Sequence, residues 1–219
     1  MSMDDYPIPV YIINLKERLD RKAHILNEFK DRSEFQIHLF EAIHDPVGAV
    51  GLWKSIREII KLAKQQEEDI VIICEDDHQF TAAYEYEAFV KNIELGAELG
   101  ANILLGGVTG GFSNTLRITE SLHWLDGFWG TQFVIVYRHF YDRILDEEFD
   151  QTVVADGKLS EMTANKFTFY PMISIQKAFG YSDIRDTGRD SERLPALIAA
   201  VDDRMVRINE AYDRLSPFI

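Results

Sequence analysis

The sequence predicts an α/β fold: one domain built on a mixed, mainly parallel sheet flanked by helices. Three observations predict it. Apolar runs of strand length alternate with segments of helical period through residues 10–80. The run DIVIIC (69–74) is apolar nearly throughout, as befits a strand covered on both faces. Acids follow it directly, at the carboxyl edge where parallel sheets hold their ligands. A chain of 219 residues, 46% hydrophobic and 27% charged, is large enough for one full core and too apolar for wholesale disorder.

VYIIN (10–14) is a β-branched run, and LDRKAHILNEF (19–29) follows with Leu19, Ala23, Leu26 and Phe29 on one helical face. IHLFEAI (37–43) reads as a second strand. In GLWKSIREIIKLAKQ (51–65), Leu52, Ile56, Ile59, Ile60 and Ala63 recur at helical spacing, and DIVIIC completes a βαβαβ unit. The second half is less regular. TAAYEYEAFVKNIELGAEL (81–99) reads as a helix, NILLGG (102–107) as a short strand, QFVIVY (132–137) as a strong one, and HFYDRILDEEF (139–149) as a helix. FTFYPMI (167–173) is the expected last strand. Residues 191–215 form a closing helix, with Ser191 as its cap and Pro195 near the first turn. LLGGVTGGF (104–112) reads as a flexible turn.

Several classes of function are excluded. The single cysteine, Cys74, lies in an apolar run and cannot form an internal disulfide, which suits a reducing compartment. No stretch reaches the roughly 18 apolar residues of a membrane span, and MSMDDYPIPV lacks the basic start and apolar core of a signal peptide, so the expected location is the cytoplasm. With 23 basic against 37 acidic residues the net charge is −14, and no basic cluster offsets it, so nucleic acid is not an expected partner. The same field opposes a small anionic substrate unless a local arginine or a bound cation compensates. The glycine-rich stretch lacks both the dinucleotide spacing and the P-loop lysine, the six histidines show no metal-ligand spacing, and no nucleophile elbow is present.

The acids that end the DIVIIC run remain. Glu75, Asp76 and Asp77 repel one another, and beside a core they are partly desolvated, so a cation should compensate. Mg²⁺ or Mn²⁺ fits: both take oxygen ligands, usually one or two carboxylates, and complete the shell with water and phosphate. The acids could equally cap the following helix. Spacing alone leaves both readings open.

The chain as a whole resembles glycosyltransferase family 25, the lipooligosaccharide galactosyltransferase-like enzymes. The resemblance rests on VYIINLKERLDR (10–21), GLWKSI (51–56), IICEDD (72–77), GTQFVIVYRHFYDRIL (130–145) and FYPMISIQKAFGYSDI (169–184), in the family's order. The family histidine after the serine is Ile56 here. The resemblance implies a GT-A-like (Rossmann-like) fold, with a nucleotide-binding half at about 8–80, an acceptor half at about 81–190 and a C-terminal helix over 191–219. It implies an inverting hexosyltransferase that moves galactose or glucose from a UDP-sugar donor to a glycan acceptor, in lipopolysaccharide or other cell-surface polysaccharide assembly.

The residues then take expected roles. Asp77, with Asp76 and Asp183 as partners, holds Mn²⁺ or Mg²⁺ against the donor diphosphate, with His78 as an alternative ligand and Glu75 turned back toward the sheet. Asn14, Arg18, Asp20, Arg21 and Asp76 line the nucleotide, although Arg18 and Arg21 also read as a solvated helix face. The catalytic base is Asp156, Asp126 or Asp183; Asp156 also reads as a helix cap. Trp124, Phe128 and Trp129 could stack on an acceptor sugar or pack in the core. Two other classes stay open: a non-catalytic sugar-nucleotide or glycan-binding module, which Ile56 favours, and a phosphohydrolase, against which Asn14 stands where that class places its nucleophile.

Overall fold

The structure, a computed structural model, describes residues 7–148, 154–180 and 188–216. The strands are β1 (Ile8–Asn14), β2 (Phe35–Glu41), β3 (Ile70–Glu75), β4 (His78–Phe80), β5 (Ile103–Leu105), β6 (Thr115–Arg117), β7 (Leu122–Leu125), β8 (Phe133–Tyr137), β9 (Lys166–Phe169) and β10 (Ser174–Gln176). The helices are α1 (Leu19–Glu28), α2 (Gly48–Gln65), α3 (Tyr86–Glu98), α4 (Tyr141–Asp146), α5 (Ala155–Met162) and α6 (Gly188–Leu215). Eight strands form one mixed sheet in the order β2-β1-β3-β8-β5-β9-β7-β6, and β10 pairs with β4 beside it. Strands β1, β2, β3, β5, β6 and β9 run one way, with β7 and β8 against them. The expected mixed, mainly parallel sheet in a single domain is therefore present, with VYIIN and DIVIIC as neighbours in register Val10↔Ile72.

Strand alternation divides the core in two. Tyr11, Ile13, Val71, Ile73, Val134 and Val136 face one side, where α2 contributes Trp53, Ile56, Ile59 and Ile60 and α6 contributes Val201 and Met205. Val10, Ile12, Ile72, Cys74 and Ile135 face the other, against Ile25 and Phe29 of α1 and Phe89 and Ile93 of α3. Each such side chain stabilises the fold by about 1.5–3 kcal/mol relative to exposure.

Four expectations change. The buried face of α1 is Ile25, with Phe29 just beyond its end, whereas Leu19 and Leu26 are exposed and Ala23 faces solvent. Helix α3 begins only at Tyr86, because residues 78–80 pair with β10 and the Glu85 carboxylate accepts from the backbone N–H groups of Glu87 and Ala88. Helix α6 begins at Gly188, so Ser191 lies inside it and is not the cap. The glycine stretch is pinned rather than loose: Thr109 N donates to Trp129 O and Trp129 N donates to Gly110 O, each at 2.9 Å. Among the described residues no helix is long and apolar enough to cross a membrane.

Candidate active site

A cavity of about 580 Å³ opens at the carboxyl edge of β1, β2 and β3. Because β8 runs against β3, the segment that enters it, Trp129–Gln132, reaches the same edge. Its volume is that of a small-molecule site.

Strand β3 delivers three carboxylates into unlike surroundings. Asp76 is buried and neutralised: Asn14 Nδ2 donates to Oδ2 at 2.7 Å, and an Arg21 guanidinium nitrogen donates to Oδ1 at 3.0 Å. Asn14 also donates to the Arg18 carbonyl at 3.3 Å, which ties the end of β1 to the start of α1. Asp77 lies 3.7 Å from the same Arg21 nitrogen, and its Oδ1 is buried without a hydrogen-bond partner. Burial pushes Asp77 up to about 7, with Arg21 pulling the other way and the charge of Asp76 adding to the rise. Glu75 accepts from Thr131 Oγ1 at 2.5 Å; burial first, then the charge of Asp77, push it up to about 8. Glu75 lines the cavity instead of turning back into the sheet, because it ends β3 on the face of Ile73, toward α2.

The other walls are fixed just as closely. Gly51 of α2 passes so near the loop after β2 that a Cβ there would meet the Ile43 carbonyl at 2.5 Å. Ser55 accepts from Ile43 N and donates to Gly51 O, both at 2.8 Å. The glycine and serine of GLWKSI therefore position the 42–46 wall, while Ile56 is buried in the core and does not line this cavity. After β10, Lys177 N donates to the Asp77 carbonyl at 2.7 Å, which brings Lys177 and Phe179 to the acids. The Arg21 guanidinium stands 5.0 Å from the centre of the Phe179 ring. Sequence reasoning missed Lys177; its one signal is that it follows the glutamine of FYPMISIQ.

Asp156 lies in the first turn of α5 and lines the cavity, with Val154 in the cap position. Its Oδ2 accepts from Gly130 N at 3.0 Å and its Oδ1 from Gly157 N at 2.8 Å. Trp129 lines the cavity too, whereas Phe128 is core and Trp124 donates to the Ala164 carbonyl at 2.7 Å.

The remaining predicted residues stand apart. Asp126 is half-buried, with its oxygens taken by Ser113 N at 2.8 Å and Asn114 Nδ2 at 2.7 Å, and it does not line the cavity. Arg18 and Asp20 do not line it either. His78 is fully buried on the other side of the acid turn: its Nδ1 lies 2.7 Å from Ser174 Oγ and its ring stacks on Phe133 at 4.8 Å. Burial depresses its pKa to about 3, as a ring in an aromatic core requires. Asp183 lies outside the described residues.

No protein-family model matches the chain, and no curated protein matches it. Among solved structures, the chain is similar to A197 from STIV, with a TM-score of 0.55, 12% identity, and coverage of 82% of this chain and 88% of that one. It is also similar to a glycosyltransferase involved in the glycosylation of the major capsid of PBCV-1 (TM-score 0.42, 7% identity, 64% of each chain). A third similar structure is an apo-UDP-glucose pyrophosphorylase (TM-score 0.48, 7% identity, 90% of this chain and 82% of that one). The first shows that this chain has the same fold as A197 from STIV.

Proposed function

We propose that the chain is a metal-dependent, inverting glycosyltransferase that moves a hexose from a UDP-sugar to a glycan acceptor, in the manner of family 25. The observation that carries this reading is the acid turn: a buried, unpartnered Asp77 oxygen beside an arginine-neutralised Asp76, opening into a cavity of about 580 Å³. Its natural complement is a cation and a diphosphate.

The residues fit Mn²⁺ or Mg²⁺. Among the described residues no three His, Cys, Asp or Glu side chains form a cage, yet these ions need only one or two protein carboxylates when substrate phosphate supplies other ligands. Asp77 would hold the ion, with Glu75 beside it and Asp76 as the charge that Arg21 balances. A bound cation supplies neutralisation of the charge that gathers on the leaving diphosphate as the sugar becomes oxocarbenium-like.

The chain's own groups account for the rest. Arg21 and Lys177 flank the acids and offer positive charge to phosphate oxygens. Asp156 is the base: it takes the proton of the acceptor hydroxyl while that oxygen bonds to the anomeric carbon and the bond to the diphosphate breaks, releasing UDP. Ile56 does not argue for a non-catalytic module, because its side chain is part of the core. Asn14, hydrogen-bonded to Asp76, leaves β1 without the nucleophile of a phosphohydrolase.

The test is UDP release from UDP-galactose and UDP-glucose with Mn²⁺, with and without glycan acceptors. Acceptor-stimulated, EDTA-sensitive release is expected. Phosphate release from phosphomonoesters with no UDP release would overturn the proposal.

A further inference from the structure

The glycine stretch and the exposed tryptophan, unrelated in sequence, form one object in the fold. Trp129 is 54% exposed and lines the cavity. Its ring rests on Gly110, where an added Cβ would come within 2.9 Å of the indole, which supplies its three nearest atoms. Gly110, at φ +144°, and Gly111, at φ +84°, adopt backbone that favours glycine, and the pair Gly110↔Trp129 forms a β-bridge. The next residues are held as firmly: Gly130 N donates to Asp156, and Thr131 Oγ1 to Glu75. A large ring is thus kept open to a cavity at the cost of exposure, on a shelf from which Cβ atoms are absent. Core packing explains none of this.

We propose that Trp129 is the stacking platform for the acceptor, and that the acceptor is a neutral hexopyranoside whose C–H face lies on the indole. The proposal rests on the glycosyltransferase reading given above. Bonding selects acceptor over donor: the residue after the platform, Gly130, is tied to Asp156, the proton-accepting group, whereas Arg21 and Asn14 are tied to Asp76 in the acid turn. Charge selects a neutral sugar, since six carboxylates (Glu17, Asp45, Glu75, Asp76, Asp77 and Asp156) line the cavity and the chain carries −14. An indole offers a sugar ring apolar area and a polarisable face with little conformational freedom to lose.

Tryptophan fluorescence reads the platform directly. Of the three tryptophans, Trp53 is in the core and Trp124 is tied to Ala164, so Trp129 is the one that a ligand in the cavity would touch. Methyl β-galactoside and methyl β-glucoside are titrated into the protein with UDP and Mn²⁺, beside sorbitol as a polyol lacking a ring face. The parent shows a saturable change with at least one glycoside and none with sorbitol. Trp129→Ala abolishes that change and raises the acceptor KM about tenfold or more, with UDP affinity retained; Trp129→Phe restores most of the KM. A parent that binds UDP and shows no saturable response to either glycoside overturns the proposal. So does an unchanged acceptor KM in Trp129→Ala, or a response to UDP alone that Trp129→Ala removes, which would put the nucleotide base on the ring. A glycoside response without UDP-sugar binding would sink the transferase reading and leave the platform standing.

Discussion

Asp77→Asn is the sharpest test of the acid turn, because it keeps size and polarity while removing one charge. In the folded, metal-free protein the Asp77 carboxyl is pushed from 3.8 up to about 7 by burial. Holding it ionised at pH 7 therefore costs the fold about 4 kcal/mol relative to the unfolded chain. Asparagine escapes that cost but leaves amide atoms short of partners in the same buried spot. If half is lost in that way, about 2 kcal/mol remains, which is a rise in Tm of about 4–8 °C for a chain of this size. The assay is a thermal melt at pH 7.5 in EDTA, repeated with Mn²⁺ and UDP. The variant should melt higher than the parent in EDTA. It should gain little from Mn²⁺ and UDP, whereas the parent gains in proportion to the logarithm of saturation. A variant that melts at or below the parent in EDTA, and still gains as much from Mn²⁺ and UDP, would refute the reasoning.

The remaining predictions use the same site. Glu75 and Asp77 hold protons in the folded state, up to about 8 and about 7, that the unfolded chain releases near 4, so their contribution to stability is lost as pH rises toward 8. His78, depressed to about 3, works in the opposite sense only below about pH 6.5, so the Tm in EDTA should fall between pH 6.5 and 8 and Mn²⁺ should flatten the fall; a flat profile in EDTA would contradict it. Arg21→Ala removes the 3.0 Å contact to Asp76 and should weaken UDP binding by about 1 kcal/mol or more, measured by calorimetry; unchanged affinity would return Arg21 to a purely structural role. Asp156→Asn should lower kcat by about 100-fold or more with donor binding kept, while Asp126→Asn should leave kcat unchanged and lower stability by about 1 kcal/mol; the reverse pattern in steady-state kinetics would make Asp126 the base.

The parts of the fold legible in the sequence are those that burial writes as long apolar runs. VYIIN, DIVIIC and QFVIVY are strands covered on both faces, and α2 repeats its apolar residues over 18 positions. Strands β4, β6, β7 and β10 have three or four residues each, too few for a period to emerge, and β6 contributes Leu116 at 61% exposure. In α1 the expected face runs through Leu19, Ala23, Leu26 and Phe29, but a register through Ile25 and Phe29 also satisfies helical spacing. The sheet chose the second. The candidate site shows the same limit. EDD marked the place, yet adjacent aspartates differ only through Asn14 and Arg21, which arrive from 62 and 55 residues away.

That division between the two aspartates also bears on how so acidic a chain accepts an anion. The guanidinium of Arg21 makes its shorter contact, 3.0 Å, with Asp76 and stands 3.7 Å from Asp77, so its charge is largely spent on the buried neighbour. Asp77 and Glu75 are left facing the cavity, and desolvation favours their neutral forms near pH 7. A protonated pair lowers the negative potential at the cavity floor, but it offers a diphosphate no attraction. Lys177, anchored to the Asp77 carbonyl, adds one positive charge at the rim, short of what a diphosphate carries. A divalent cation supplies the difference while displacing the protons from both carboxyls, so donor and metal should bind as a pair and release protons as they do. Calorimetry in two buffers of different ionisation enthalpy measures that release. Proton uptake, or tight UDP binding in EDTA, would show that the acids serve the fold alone.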